Sequence, residues 1–348
     1  MEIRTRLQAM AVTAAHSKKF TGLLTALLCF LFAPAPLLLH AQSSGQSSAA
    51  TAAQKQFEAG QYAAAVTGAK NAAAANPKDA AAQYWLGRGY YEQKNFQASA
   101  DALEKAVDLE PKNAQYHHWL GRAYGELADK QRSFSLARKV KHEFETAVQL
   151  DPNNLEARRD FQQYNEQAPW VVGGSKDVAK QQVEAIAAIN PVEGHLARGD
   201  YDIEVLKKND VAEKEYQAVI DSPSASAEEL FEAADFFAKT NKPADLDKAV
   251  QAAQKSKPSD PRVGYYRAAQ IILSGNQISN ADALLKAYIA AGPEHSDWPS
   301  HAAARDWLGR LYEKQGKRPE AAEQYRDALQ LDPNDKFARD RLKSLGSS

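Results

Sequence analysis

Cysteine is all but missing from this chain of 348 residues: Cys29 stands alone, inside an N-terminal apolar run. Beyond residue 41 there is therefore no disulfide, no thiolate nucleophile and no cysteine-held metal to consider. A surplus of positive charge is lacking too. Residues 1–41 hold four of the 43 basic and one of the 44 acidic residues, which leaves the remainder near −4. A nucleic-acid partner wants a concentrated basic face, so that class is not expected. Strand signals are absent as well. What the chain does have is alanine-rich helical pattern, punctuated at regular intervals.

The N-terminus has its own organisation. Arg4, Arg6, Lys18 and Lys19 precede the apolar residues 20–39, and Leu39-His40-Ala41 leads into polar Gln42-Ser43-Ser44-Gly45. That order predicts a signal peptide over residues 1–41, cut near Ala41. Arg4-Thr5-Arg6 is not a twin-arginine pair, and bulky Leu28 before Cys29 argues against a lipoprotein. The alternative is an uncleaved anchor over residues 20–39, since ~20 apolar residues can span a bilayer. Pro34 and Pro36 suit a broken helix before a cleavage site better. On either reading the remainder is expected outside the cytoplasmic membrane, periplasmic or secreted. It would touch the membrane only through an uncleaved anchor. Residues 42–48, rich in Ser and Gln, read as a flexible tether.

The chief signal is a ladder of prolines at Pro77, Pro111, Pro152, Pro191, Pro223, Pro258, Pro293 and Pro333, spaced 34, 41, 39, 32, 35, 35 and 40 residues apart. Each follows a helical pattern that proline cannot continue, so each closes a unit. Within the units Trp85-Leu86-Gly87-Arg88, Trp119-Leu120-Gly121-Arg122 and Trp307-Leu308-Gly309-Arg310 recur. Leu86, Gly87 and Tyr90 lie three to four residues apart and share one helix face. Small Gly87 or Ala106 admits a neighbouring helix, while Leu86, Tyr90 and Leu103 fill the space. One such pair cannot bury its apolar face alone, so stacking is obligatory.

These motifs resemble the tetratricopeptide repeat. Leu86, Gly87, Tyr90, Phe96, Ala106 and Pro111 fall on its signature, as do Leu308, Gly309, Tyr312, Ala321, Tyr325, Ala328 and Pro333. The first unit matches at Tyr62, Ala65, Ala72 and Pro77, and the fourth to seventh rest on length and helical pattern. The resemblance implies an all-α solenoid of helix pairs, wound as a right-handed superhelix, over residues 49–348. About eight pairs fit, at 49–77, 79–111, 113–152, 154–191, 192–222, 224–257, 260–292 and 297–333. A capping helix over 335–345 has Phe337, Ala338, Leu342 and Leu345 on one side. Residues 167–174 are similar to a subgroup of exported bacterial members with no assigned activity.

Candidate chemistry is thin. His142-Glu143-Phe144-Glu145-Thr146 begins like a zinc-protease helix, but Thr146 stands where a second histidine must be. His117 and His118 are adjacent and diverge on a helix, so no metal is expected. Gly173-Gly174-Ser175-Lys176 reads as an elbow with Ser175 as cap rather than an anion cradle. Lys130, Arg132, Arg138, Lys139, Lys141 and His142, diluted by acids, read as a solvated face. No nucleophile-base pair or phosphate loop appears, so neither catalysis nor a cofactor is expected.

The Trp-x-x-Arg pairs leave two readings open. Trp85/Arg88, Trp119/Arg122 and Trp307/Arg310 lie three residues apart, on the side that lines the groove in the family. As groove residues they would bind a protein or peptide, Trp and Arg being common hot-spot types. As packing residues, each Trp would meet the next repeat and its Arg would stack on it. The first two pairs are expected to form one aromatic-basic patch, with the third acting separately. The family's clamp for chaperone tails is not matched, because Ala50 and Gln54 stand where its Lys and Asn would be. An exported scaffold for a protein or peptide partner is the expectation. A glycan-binding accessory is the alternative, and an enzyme built on the solenoid comes after it.

Overall fold

The computed structural model describes residues 47–275 and 278–346. The expected signal peptide over 1–41 and the first residues of the tether lie outside the described residues. Among the described residues there are seventeen α-helices and no strand. The first pairs are α1 (Ser48–Glu58) with α2 (Tyr62–Ala75), α3 (Ala80–Glu92) with α4 (Phe96–Leu109), and α5 (Ala114–Gln131) with α6 (Phe134–Leu150). Then come α7 (Leu155–Gln167) with α8 (Lys176–Ile189), α9 (Pro191–Tyr201) with α10 (Asn209–Asp221), and α11 (Ala227–Lys239) with α12 (Pro243–Ser256). The series ends with α13 (Pro261–Ser274) and α14 (Ser279–Ala290), α15 (His301–Lys314) and α16 (Arg318–Leu331), and a closing α17 (Lys336–Ser344). None of these helices is long and apolar enough to cross a membrane.

Local chemistry sets the helix ends. Pro77, Pro111, Pro152, Pro223, Pro258 and Pro333 all lie in turns between pairs. Asp79, Asn113 and Asn154 follow the first three of them and cap α3, α5 and α7, accepting from backbone N–H groups two or three residues on. Each cap satisfies a donor the helix cannot. Ser226 and Glu229 close a reciprocal capping box on α11. Two positions differ from the sequence reading. Pro191 does not end a unit: it is the first residue of α9, where its fixed φ and missing N–H fit. The tether ends earlier than residue 48, because Ser47 caps α1 and Ser48 is helical.

Every helix packs on the next in the chain, and α1, α3 and α5 also touch in succession, as do α7, α9, α11, α13 and α15. The odd-numbered helices thus share one side of the stack. Leu86, Leu120 and Leu308 are buried as the helix phase requires. A Cβ on Gly87 would sit 2.5 Å from Leu103, and one on Gly121 would sit 2.6 Å from Phe144. Those glycines let the two helices of a pair close on each other.

The core falls into two large bodies. One runs from Ala80 to Val172, the other from Val192 to Leu311. A small group, Val183, Ile186 and Ala197, lies between them. The elbow joining α7 to α8 is a short turn at Trp170–Val172. It is followed by Gly173 at φ +95° and by Ser175 capping α8. Lys130, Arg132, Arg138, Lys139 and His142 are all exposed along the long third pair.

Candidate peptide-binding face

The three Trp-x-x-Arg pairs do not present open rings. Trp119 is 2% exposed and Trp307 7%. Trp85 is half-buried against Phe57 and Tyr84, with centroid separations of 5.4 and 5.0 Å. Of the two readings left open, packing therefore describes Trp119 and Trp307, while Trp85 is only half-buried. The physical reason is the close stacking of repeats, which brings Arg88 of the second repeat over Trp119 of the third and Tyr265 against Trp307.

What that stacking builds is a ladder. The Arg88 guanidinium lies 4.6 Å from the Phe57 centroid on one side and 3.4 Å from that of Trp119 on the other. Arg122 stands 4.3 Å from the same indole and 5.4 Å from Tyr91. Rings and cations thus alternate across repeats one to three, each cation held by ring quadrupoles. Trp85, Arg88, Trp119 and Arg122 do come together. Trp307 and Arg310 stand apart: the indole donates to the Tyr265 hydroxyl at 3.1 Å, and the guanidinium covers the ring at 4.0 Å.

Against this ladder lies a segment from far along the chain, residues 293–298, between α14 and α15. Lys94 Nζ is 2.6 Å from Glu294 Oε2. The Tyr62 hydroxyl is 3.0 Å from the His295 ring. Ser296 donates its backbone N–H and its hydroxyl to the Glu92 carboxylate, at 3.0 and 2.9 Å. Arg122 Nη2 lies 2.5 Å from Asp297 Oδ1 and its Nε 3.6 Å from Asp160 Oδ2. His118, fully buried, donates to the same Asp160 at 2.8 Å. Burial pushes the Asp297 carboxyl up, but the Arg122 charge and hydrogen bond outweigh it and hold it below the ordinary value. At its far end the segment is anchored by Trp298. This indole stacks on His295 at 4.5 Å and lies under Arg262 at 4.6 Å.

Repeats four and six carry different chemistry at the same place, and repeat five has buried Leu196 there. Trp85 and Trp119 each lie six residues after the cap of their helix; six after the caps of α7 and α11 stand Asp160 and Glu232. Arg159 reaches Glu193, Asp200 and Glu232 at 3.2, 2.9 and 2.9 Å, three carboxylates around one guanidinium. Tyr216 donates to Asp200 at 2.5 Å. Glu166 accepts from Gln162 at 2.8 Å, and burial lifts its carboxyl to about 8. Among the described residues no cluster of His, Cys, Asp and Glu has the form of a metal site.

Sequence reasoning did not find Tyr62, Lys94 or the 293–298 segment as site residues. One signal was available. The assigned pairs 260–292 and 297–333 leave residues 293–296 without a helix, although each neighbouring gap is shorter.

The family models agree with the repeat motifs. Models of the tetratricopeptide repeat match residues 51–114, 86–147 and 302–335. No curated protein sequence matches the chain significantly. Among solved structures, a tetratricopeptide repeat protein from Parabacteroides merdae is 16% identical. The match covers 86% of this chain and 98% of that one, with a TM-score of 0.43. YrrB, described as a repeat protein with an unusual peptide-binding site, is 16% identical over 62% of this chain and 88% of its own, TM-score 0.35. The pilF protein of Pseudomonas aeruginosa is 14% identical over 76% and 97%, TM-score 0.37.

Proposed function

This chain is a tetratricopeptide repeat protein, a family that generally mediates protein–protein interactions, and from that premise we propose that it captures an extended protein or peptide segment on repeats one to three. One observation carries this reading: residues 293–298 of the chain itself already lie across that face, held through backbone as well as side chains. Glu92 takes a main-chain N–H, a contact any peptide can offer. Tyr62, Lys94 and Arg122 read side chains at successive points along the segment.

A photo-crosslinking residue at Gln93, which is exposed beside the segment, tests the reading against one at Leu109, on the far end of α4. The partner should crosslink from position 93 and not from position 109; the reverse pattern would move the site off this face. The glycan alternative draws no support from Trp119 and Trp307, because stacking on a sugar requires an open ring face and these two offer none.

We also propose that the protein works outside the cytoplasmic membrane, on the strength of the basic and then apolar residues 1–41. N-terminal sequencing of protein from the envelope fraction should begin near Gln42. Recovery of the intact chain from the cytoplasm would defeat this proposal.

A further inference from the structure

The segment lying on repeats one to three belongs sterically and covalently to the other half of the molecule. Trp298 packs against the second core body, and Ser300 caps α15. Its contacts with the first body are mostly polar and at the surface. Lys94 is 61% exposed and Asp297 63%. Such ion pairs contribute little stability individually, with typical values of about 0–1 kcal/mol. The segment also fills the face incompletely. A cleft of about 520 Å³ stays open beside it, lined by Gly60, Gln61, Tyr62, Glu92, Gln93 and Pro293. Arg88, whose Nε is buried without an acceptor, has no carboxylate at ion-pair distance among the described residues. The face holds three cations and its own Glu92: the segment pairs Lys94 and Arg122 directly, Arg122 also meets Asp160, and Arg88 donates to the Tyr84 hydroxyl while acting on Asp297 at longer range.

We infer that residues 293–298 are a tethered stand-in for the true ligand, an extended acidic segment of another protein that takes the same place by exchange. This rests on the peptide-binding reading above and adds the partner's chemistry and the competitor. Three features carry it. Glu294 and Asp297 on the segment meet Lys94 and Arg122 on the face, so the charge complementarity is already displayed. Repeats four to six place Glu193, Asp200 and Glu232 around the single Arg159 on the same side, an excess of carboxylate that disfavours acidic chain there and confines it to repeats one to three. Arg88, which the segment meets with no direct ion pair, and the open cleft allow a partner to make more contacts than the stand-in does. A tethered competitor reduces apparent affinity by the fraction of molecules in which the face is free. The partner binds weakly until it supplies the additional carboxylate, so occupancy selects for acidic segments over any passing peptide.

The test uses the full chain and a labelled nonapeptide of residues 292–300, Gly-Pro-Glu-His-Ser-Asp-Trp-Pro-Ser, with a second copy carrying Glu294→Gln and Asp297→Asn. The segment is freed on the protein by His295→Ala, Ser296→Ala and Asp297→Ala together. Glu294 is kept because it also accepts from the His301 N–H at the start of α15. The freed protein should bind the acidic nonapeptide at least about tenfold more tightly than the wild type, and the amide copy much more weakly. Lys94→Glu should lower binding of the acidic peptide several-fold with no change in melting temperature. If the triple variant loses its helical circular dichroism, the isosteric Asp297→Asn carries the same comparison. Equal affinity of wild-type and freed protein overturns the exchange, and equal affinity for acid and amide peptides overturns the acidic partner. A random-peptide library is selected on the freed protein in parallel. Binders that crosslink from position 93, while the acidic nonapeptide fails, would overturn this inference and leave the peptide-binding reading standing. If neither binds, both fall.

Discussion

Repeats one to three and repeats four to six present the same side of the same architecture with opposite chemistry. In the first group, rings separate the cations: Phe57, Arg88, Trp119 and Arg122 alternate, and the charged groups at the surface face an acidic segment. In the second, carboxylates crowd a single cation, Arg159, with no ring between them. The difference teaches that a helix-pair frame fixes where a side chain stands and leaves its charge open. Six residues after the helix cap, repeats two and three carry tryptophan and repeats four and six carry an acid.

The largest effect expected from breaking the first group is on folding. Trp119→Ala removes a ring gripped between two guanidiniums and should cost about 3–5 kcal/mol. Trp85→Ala, at a half-buried ring, should cost less. Chemical denaturation of both variants checks the order. Equal, small losses would return the tryptophans to the surface and restore them as binding residues.

Acid and base should separate the two groups. The Glu166 carboxyl, lifted by burial to about 8 from an ordinary 4.5, stays protonated in the folded chain after the unfolded chain has released its proton. Its contribution is complete below 4.5 and is lost as pH rises through about 8, at up to about 1.4 kcal/mol per pH unit. Asp160 and Asp297 have the opposite sign. Burial raises them, Arg122 outweighs it, and both stay below the usual value. Their contribution is present above 3.8 and is lost as pH falls beneath it. Hydrogen exchange resolved by segment should show α7 to α9 loosening toward pH 8 and the 293–298 contact loosening toward pH 3. Glu166→Gln should remove the first trend alone; a wild-type slope in that variant would refute the assignment.

A smaller effect is expected from Arg159→Gln, which leaves Glu193, Asp200 and Glu232 facing one another. Partial exposure of these groups limits the loss to about 1–3 kcal/mol, and high salt should recover part of it. Calorimetry at two ionic strengths measures both. A loss that salt leaves untouched would mean the cluster acts through packing. The smallest effect serves as the outside control. Trp170 is 85% exposed at the elbow, belongs to neither group, and Trp170→Ala should change stability by less than about 0.5 kcal/mol.

Much of the architecture was legible from the sequence. Pro77, Pro111 and Pro152 announced turns, the units set to begin at 79, 113 and 154 open on the capping residues Asp79, Asn113 and Asn154, and Gly87 with Leu103 announced close packing. Pro191 misled, because a proline can open a helix as readily as it follows one, and Asn190 ends one helix while capping the next. The open choice for Trp119 could not be closed from its own repeat. Its burial depends on Arg88 and Tyr91, supplied by the repeat before it.

By itself, then, the sequence determined the all-α helix-pair stack, since caps, turns and small-against-large contacts act within a repeat or between neighbours. Tertiary structure alone decided that residues 293–298 reach Tyr62, Glu92, Lys94 and Arg122. That meeting joins positions about two hundred residues apart, and it is set by the accumulated rotation of every intervening pair. Those middle repeats are the ones whose motifs are weakest, and a small change of angle in each adds along the chain. No local pattern records such a sum, so the partners on the face became visible only when the whole stack was assembled.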